Sequence, residues 1–130
     1  MKTQTKDILS QFINPSQLSV VRLAMNGEEK QFFIDKMEEL RQVIQKMPKT
    51  GGTDGQGDNA VVYLHYFLGG ADWYILEKDM ENEQHQAFGL ADLFQDGGEL
   101  GYISIVELIE NGVELDFHWT PKSLAEVRKN

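Results

Sequence analysis

The stretch LEKDMENEQHQ, residues 76–86, places a carboxylate at every second position: Glu77, Asp79, Glu81 and Glu83. On an extended strand, alternate side chains share one face about 6.6 Å apart. Such a comb is read three ways: as a metal site, as an imitation of a nucleic-acid backbone, or as a solvated loop. A calcium hand is excluded, because that loop needs glycine at position six and glutamate at position twelve. Counted from Asp79 these are Gln84 and Leu90, and counted from Glu77 they are Asn82 and Phe88. One DNA strand carries a charge about every 3.4 Å, so the comb alone has roughly half that density. Asp72, Asp92, Asp96, Glu99, Glu114 and Asp116 are the acids that neighbouring strands could add. Adjacent teeth repel by roughly 0.6 kcal/mol in water. The comb is therefore expected to face solvent or a basic partner.

Histidine chemistry has three candidates. His65 and His118 sit among aromatic residues in strand-like segments, and His85 sits in a polar loop. His65 and His118, with Asp116 or Asp72 as the third ligand, would make a two-histidine, one-carboxylate metal site. No HxH or HxxxH spacing supports it, and a histidine among aromatics is commonly a structural residue. No GxSxG motif occurs. Carboxylates are too numerous for any chosen catalytic pair to stand out. Tyr63, Tyr66, Trp73, Tyr74 and Trp119 suit either a ligand platform or a sheet core. No cofactor is implied.

Charge is unevenly distributed. Residues 1–50 hold six acids and eight bases, a net of +2, whereas residues 51–130 hold fifteen acids and four bases, a net of −11. From Asp54 to Phe117 the only base is Lys78, against fourteen acids. That half lacks the cations that phosphate contacts need, so direct nucleic-acid binding is not expected. A basic protein partner fits, with solubility alone as the plainer reading. There is no cysteine among the 130 residues, which excludes disulfides and thiolate chemistry. The N-terminus lacks a signal peptide's apolar core and no run is long enough to span a membrane, which predicts a soluble, cytoplasmic protein.

The elements that must position these residues follow from periodicity. Thr5 is a cap for a short helix carrying Ile8, Leu9 and Phe12, which ends before Pro15. Residues 16–26 suit either a helix or a strand. Phe33, Met37, Leu40, Ile44 and Met47 recur every three or four residues, predicting a helix over 28–47 with one apolar stripe. PKTGGTDGQGD, within residues 48–59, reads as a flexible glycine-rich linker, without the pattern of a phosphate-binding loop. AVVYLHYFL, DWYILEK, QAFGLADLF, GYISI and VELDFHW are strand candidates. Gly69-Gly70 and residues 95–98 supply turns. Ser104 with Glu107 reads as a capping box, Gly112 ends the helix it opens, and Ser123 with Glu126 is a second cap. The expected class is α+β in one domain, residues 1–130. It has a helical part at 1–47 and a β-rich part at 60–130, with an antiparallel sheet of four to five strands and helices packed mainly on one face.

The blocks VVYL, DWYILEKD, AFGLADL, ELGYISIVEL and LDFHWTPKSLAEV carry a resemblance over about residues 61–127. They are similar to a bacterial domain-of-unknown-function family, family 2958, found on plasmids, phages and mobile elements. The resemblance implies a small soluble protein with no established activity, and it makes residues 1–59 look like an addition. Together with the charge, it implies a non-enzymatic interaction protein that docks on a basic protein, a class that includes nucleic-acid-binding proteins. Anti-restriction or anti-CRISPR activity would be its concrete form. The residues expected to carry docking are Glu77, Asp79, Glu81, Glu83, Asp92, Asp96 and Glu99. The alternatives are a small metal-dependent hydrolase or ligand-binding enzyme using His65 or His118, and a module that binds a protein through the helix at 28–47.

Overall fold

The computed structural model describes residues 8–80 and 84–129. The cap expected at Thr5 lies outside them. A single 3-10 turn, Ile8–Gln11, leads into α1, Pro15–Ala24. The ambiguous stretch after Pro15 is thus helical, because Asn14 caps it by accepting the Gln17 N–H at 2.8 Å and Pro15 sits where its missing N–H is not needed. The striped segment forms α2, Lys30–Lys46.

Strands β1, Val61–Val62, and β2, Leu64–Leu68, follow. They are succeeded by β3, Ala71–Glu77, β4, Ala87–Asp92, and β5, Glu99–Ile103. Helix α3, Ile105–Glu110, starts on Ser104, whose hydroxyl accepts the Glu107 N–H. Strand β6 is Glu114–Leu115, β7 is Lys122–Ser123, and α4 is Leu124–Arg128. A full capping box between Ser123 and Glu126 opens α4. The last long strand expected from VELDFHW stops after two residues. Asp116 turns the chain there, accepting the Trp119 N–H on its carbonyl and the His118 N–H on its side chain.

The strands make a five-stranded antiparallel sheet in the order β5-β4-β3-β2-β6, with β1 and β7 paired separately. The Gly69-Gly70 turn joins Leu68 to Ala71, with Gly69 at a φ of 59° that other residues resist. Since side chains alternate across a strand, the register assigns each residue to a face. One face carries Leu64, Tyr66, Ile75, Ala87 and Ile103, and it buries the main core against Phe12, Ile13, Met37 and Ile44 from the N-terminal helical part. Burying each of these large side chains stabilises by about 1.5–3 kcal/mol. The other face carries His65, Asp72, Tyr74, Leu90 and Asp92, and only a smaller cluster around Val62, Leu76 and Leu124 covers part of it. Most helical packing thus falls on one face, leaving the second face free for a site.

Gly89 explains the spacing of AFGL. A Cβ there would stand 2.0 Å from the Tyr74 carbonyl oxygen, so only glycine lets β4 lie this close to β3. Tyr66 ties the two halves together. Its ring is fully buried and its hydroxyl donates to the Phe12 carbonyl at 2.5 Å. Burial raises its pKa well above the usual 10.0. A raised folded-state pKa favours the protonated phenol, so this contribution is intact below pH 10 and falls as pH rises beyond it. Tyr66→Phe should lose about 1–2 kcal/mol at pH 7, from an unsatisfied buried carbonyl, and should flatten the alkaline fall in stability. Urea unfolding at pH 7 and above pH 10 measures both.

Candidate functional site

Two of the comb's four teeth can be placed, and neither faces outward as a docking charge. Glu77 is 2% exposed. Its carboxylate accepts the Gly51 N–H at 2.7 Å, the Thr53 N–H at 2.8 Å, and the Thr53 hydroxyl. The glycine-rich stretch expected to be a flexible linker is therefore a turn gathered onto a buried acid. Gly51, at a φ of 94°, lets the backbone N–H groups converge there. Thr50 fastens the same turn by donating to the Lys78 and Gln86 carbonyls. Lys78, the lone base between Asp54 and Phe117, is not a surface counter-ion. It donates to the Ile44 carbonyl at 2.7 Å, at the C-terminal end of α2. Burial, and then the charge of Lys49, lowers its pKa.

Asp79 lies beyond the end of β3 and accepts the His85 and Gln86 N–H groups at 3.0 and 3.1 Å. Glu77 and Asp79 thus belong to different environments rather than to one strand face. Glu81 and Glu83 lie outside the described residues. Of the remaining expected docking acids, Asp96 and Glu99 are exposed and Asp92 is half-buried. Asp92 accepts the Asp96 N–H, and Asp96 accepts the Gly98 N–H, which shapes the β4–β5 turn.

Acids do converge elsewhere, on the open face of the sheet. The β3–β4 register sets Asp72 directly opposite Asp92. Like charges facing each other across strands repel. Coulomb's law puts the cost near 0.8 kcal/mol in water at ~5 Å. Both line a cleft of about 320 Å³ with Tyr74, Trp119 and two bases, Lys122 and Arg128, the second of which is paired with Asp58 at 2.9 Å. The Tyr74 pKa is raised, first by burial and then by the charges of Asp72 and Asp92. Its phenol therefore stays protonated as a donor above the ordinary range. Trp119 is fixed by its indole N–H, which donates to the Val62 carbonyl at 3.0 Å, and Lys122 stands 4.6 Å from its ring centre.

His65 is the support beneath this cleft. Its Nε2 lies 2.7 Å from Asp72 Oδ1 and its Nδ1 lies 2.9 Å from Asp116 Oδ2. The ring stacks on Tyr74 with centroids 4.9 Å apart and meets Trp119 at 5.1 Å. The expected grouping of His65 with Asp72 and Asp116 is thus present, but it makes a clamp. Both ring nitrogens face carboxylates on opposite sides, leaving none for a metal ion. His118 is exposed and joins Asp116 through its backbone N–H, not its imidazole. Among the described residues, no group of three or more His, Asp or Glu side chains is arranged to hold a metal ion.

Sequence reasoning named Asp72 and Asp92 separately and missed that they face each other. The usable signal was the Gly69-Gly70 hairpin, which fixes where Asp72 falls on β3. The β3–β4 register has no comparable short turn to announce it. Trp119 and Tyr74 were offered as core or platform, and they serve as half-buried cleft walls.

The fold and the cleft define an α+β protein with one sheet face packed and the other bearing an aromatic-walled recess lined by two aspartates and two bases. The chain belongs to the family described as "Protein of unknown function (DUF2958)", whose pattern matches residues 34–122. The match begins inside α2, so that helix is part of the family's segment and not an addition to it. No curated protein and no solved structure matches the chain. No helix among the described residues is long and apolar enough to cross a membrane.

The two acid sites separate in a direct test. Glu77→Gln exchanges a carboxylate with three donors for an amide that turns an N–H₂ toward them. Hydrogen bonds to charged groups contribute about 1.5–3 kcal/mol each. The variant should lose about 2–4 kcal/mol in urea unfolding and should loosen the turn at 50–53, seen as faster amide exchange at Gly51 and Thr53.

Proposed function

We propose that this protein is a non-enzymatic interaction module that takes a cationic side chain of a basic partner protein into the Asp72–Asp92 cleft. The observation that carries this reading is the facing pair of carboxylates under two aromatic walls. An arginine or lysine inserted there would relieve the repulsion between Asp72 and Asp92. It would also lie against the faces of Tyr74 and Trp119, where a cation gains about 0.5–2 kcal/mol. Lys122, already on the Trp119 ring, and Arg128, paired with Asp58, are the chain's own cations in the cleft, and Lys122 would be displaced toward the rim. The surplus of acids from Asp54 to Phe117 would speed encounter with a basic surface and make it salt-sensitive.

On this reading the docking residues are Asp72 and Asp92, with the aromatic pair as specificity contacts, rather than the comb at 77–83. The partner class would be a nucleic-acid-binding protein, engaged on the surface it uses for phosphates. The biological form would be an anti-defence role, anti-restriction or anti-CRISPR, for a mobile element. That finer reading rests on the charge imbalance and on the mobile-element setting of the family resembled.

The test uses the full chain and a peptide of alternating arginine and serine, followed by fluorescence of Trp119 and by amide shifts. Asp92→Asn keeps the size of the side chain and leaves the His65 clamp intact. It should weaken binding about tenfold, or 1.4 kcal/mol, and should lower the salt dependence. Equal affinity and equal salt dependence in the variant would refute the cleft as the docking site.

A further inference from the structure

Strand β5 ends the five-stranded sheet, and among the described residues no strand pairs with its outer side. An unpaired edge presents alternate N–H and C=O groups outward, a template for one more strand. Natural edges are commonly blunted by lysine, proline or an inward charge. Glu99–Ile103 reads ELGYI, with none of these midway along the strand. Leu100 and Tyr102 are 46% and 70% exposed, and Leu93 and Phe94, just after β4, are 47% and 81% exposed. These four form an apolar border to a groove of about 330 Å³ that also takes in Asp96 and Glu99. A second groove of about 420 Å³ shares Leu93 and Tyr102 and adds Leu68, Trp73 and Glu107. Neither groove is lined by a base. Gly101 sits at the middle of the strand with open space where a side chain would stand, so no side chain rises from that position of the edge strand on its face of the sheet.

We infer that β5 is a strand-addition site for an extended segment of a partner protein that alternates apolar and basic residues. The backbone edge supplies main-chain hydrogen bonds, and the pockets beside Phe94 and Tyr102 take alternate apolar side chains. Asp96, Glu99 and Glu107 select lysine or arginine at the positions between. The same acids disfavour a second copy of this chain as the occupant, because each copy would bring another acidic rim and a net charge of −9. The site is separate from the Asp72–Asp92 cleft and stands on different residues. Either can hold while the other fails.

The probe is a nine-residue peptide of alternating lysine with valine or phenylalanine, added to the full chain. The control is a peptide of the same length and charge with a proline replacing the central valine, which cannot complete the ladder. The expected result is slowed amide exchange across residues 99–103 with the first peptide and at least tenfold weaker binding of the control. The double variant Leu100→Lys with Tyr102→Lys alters only exposed side chains. It should bind the first peptide at least tenfold more weakly while keeping the wild-type unfolding midpoint within a few degrees. Glu99→Lys should also weaken it. Equal binding of the two peptides would mean charge attraction alone, and would overturn the inference. So would unchanged binding by the double variant. A doubled mass in sedimentation without peptide, abolished by the double variant, would assign the edge to a second copy and would also overturn it.

Discussion

The open face of the sheet depends on one imidazole held between two carboxylates. His65 faces Asp72 on β3 through one ring nitrogen and Asp116, past the end of β6, through the other. The two strands of the β2–β3 hairpin and a stretch 51 residues beyond His65 are thereby fixed around a single ring. The ring then serves as a stacking surface for Tyr74 and a contact for Trp119. Remove the ring and Asp72 loses its orienting partner, Asp116 loses its reason to turn the chain, and Trp119 loses one wall of its seat. The cleft is therefore a product of this clamp more than of any single residue lining it.

The opposite face obeys a different constraint, that of apolar burial. Phe12, Ile13, Ile44, Tyr66 and Ile75 are all inaccessible to solvent and share one core. Buried polar groups there are each matched. Asn14 donates to the Val113 carbonyl, and Tyr66 donates to the Phe12 carbonyl. Among the described residues, no buried side-chain nitrogen or oxygen is left without a partner. A core satisfied to this degree suits a rigid platform. Rigidity on one face is what allows an electrostatically strained arrangement, two facing aspartates, to persist on the other.

Much of the architecture was legible because it follows from short-range rules. The stripe from Phe33 to Met47 gave α2, Gly69-Gly70 gave the first hairpin, and Ser104 and Ser123 marked two helix starts. The α+β class and the packing of helices mainly on one face came from the same patterns. What misled was the acidic comb. Alternation of Glu77 and Asp79 looks like a strand face, yet β3 ends at Glu77 and that acid turns inward to collect N–H groups from Gly51 and Thr53. A glycine-rich stretch read by composition as a loose connection is held by that contact, 24 to 26 residues away in sequence. Such pairings are invisible to periodicity, because they depend on tertiary placement. The cleft was half legible. Its residues were named, but their opposition needed the β3–β4 register.

The role of the cleft turns on whether a cation enters between Asp72 and Asp92 under the aromatic walls. The most direct measurement is a set of intermolecular nuclear Overhauser contacts between the full chain and a bound arginine-containing peptide. Contacts are expected from the arginine side-chain methylenes to the ring protons of both Tyr74 and Trp119. Contacts confined to other surfaces, with those two rings silent while the peptide is bound, would contradict that role.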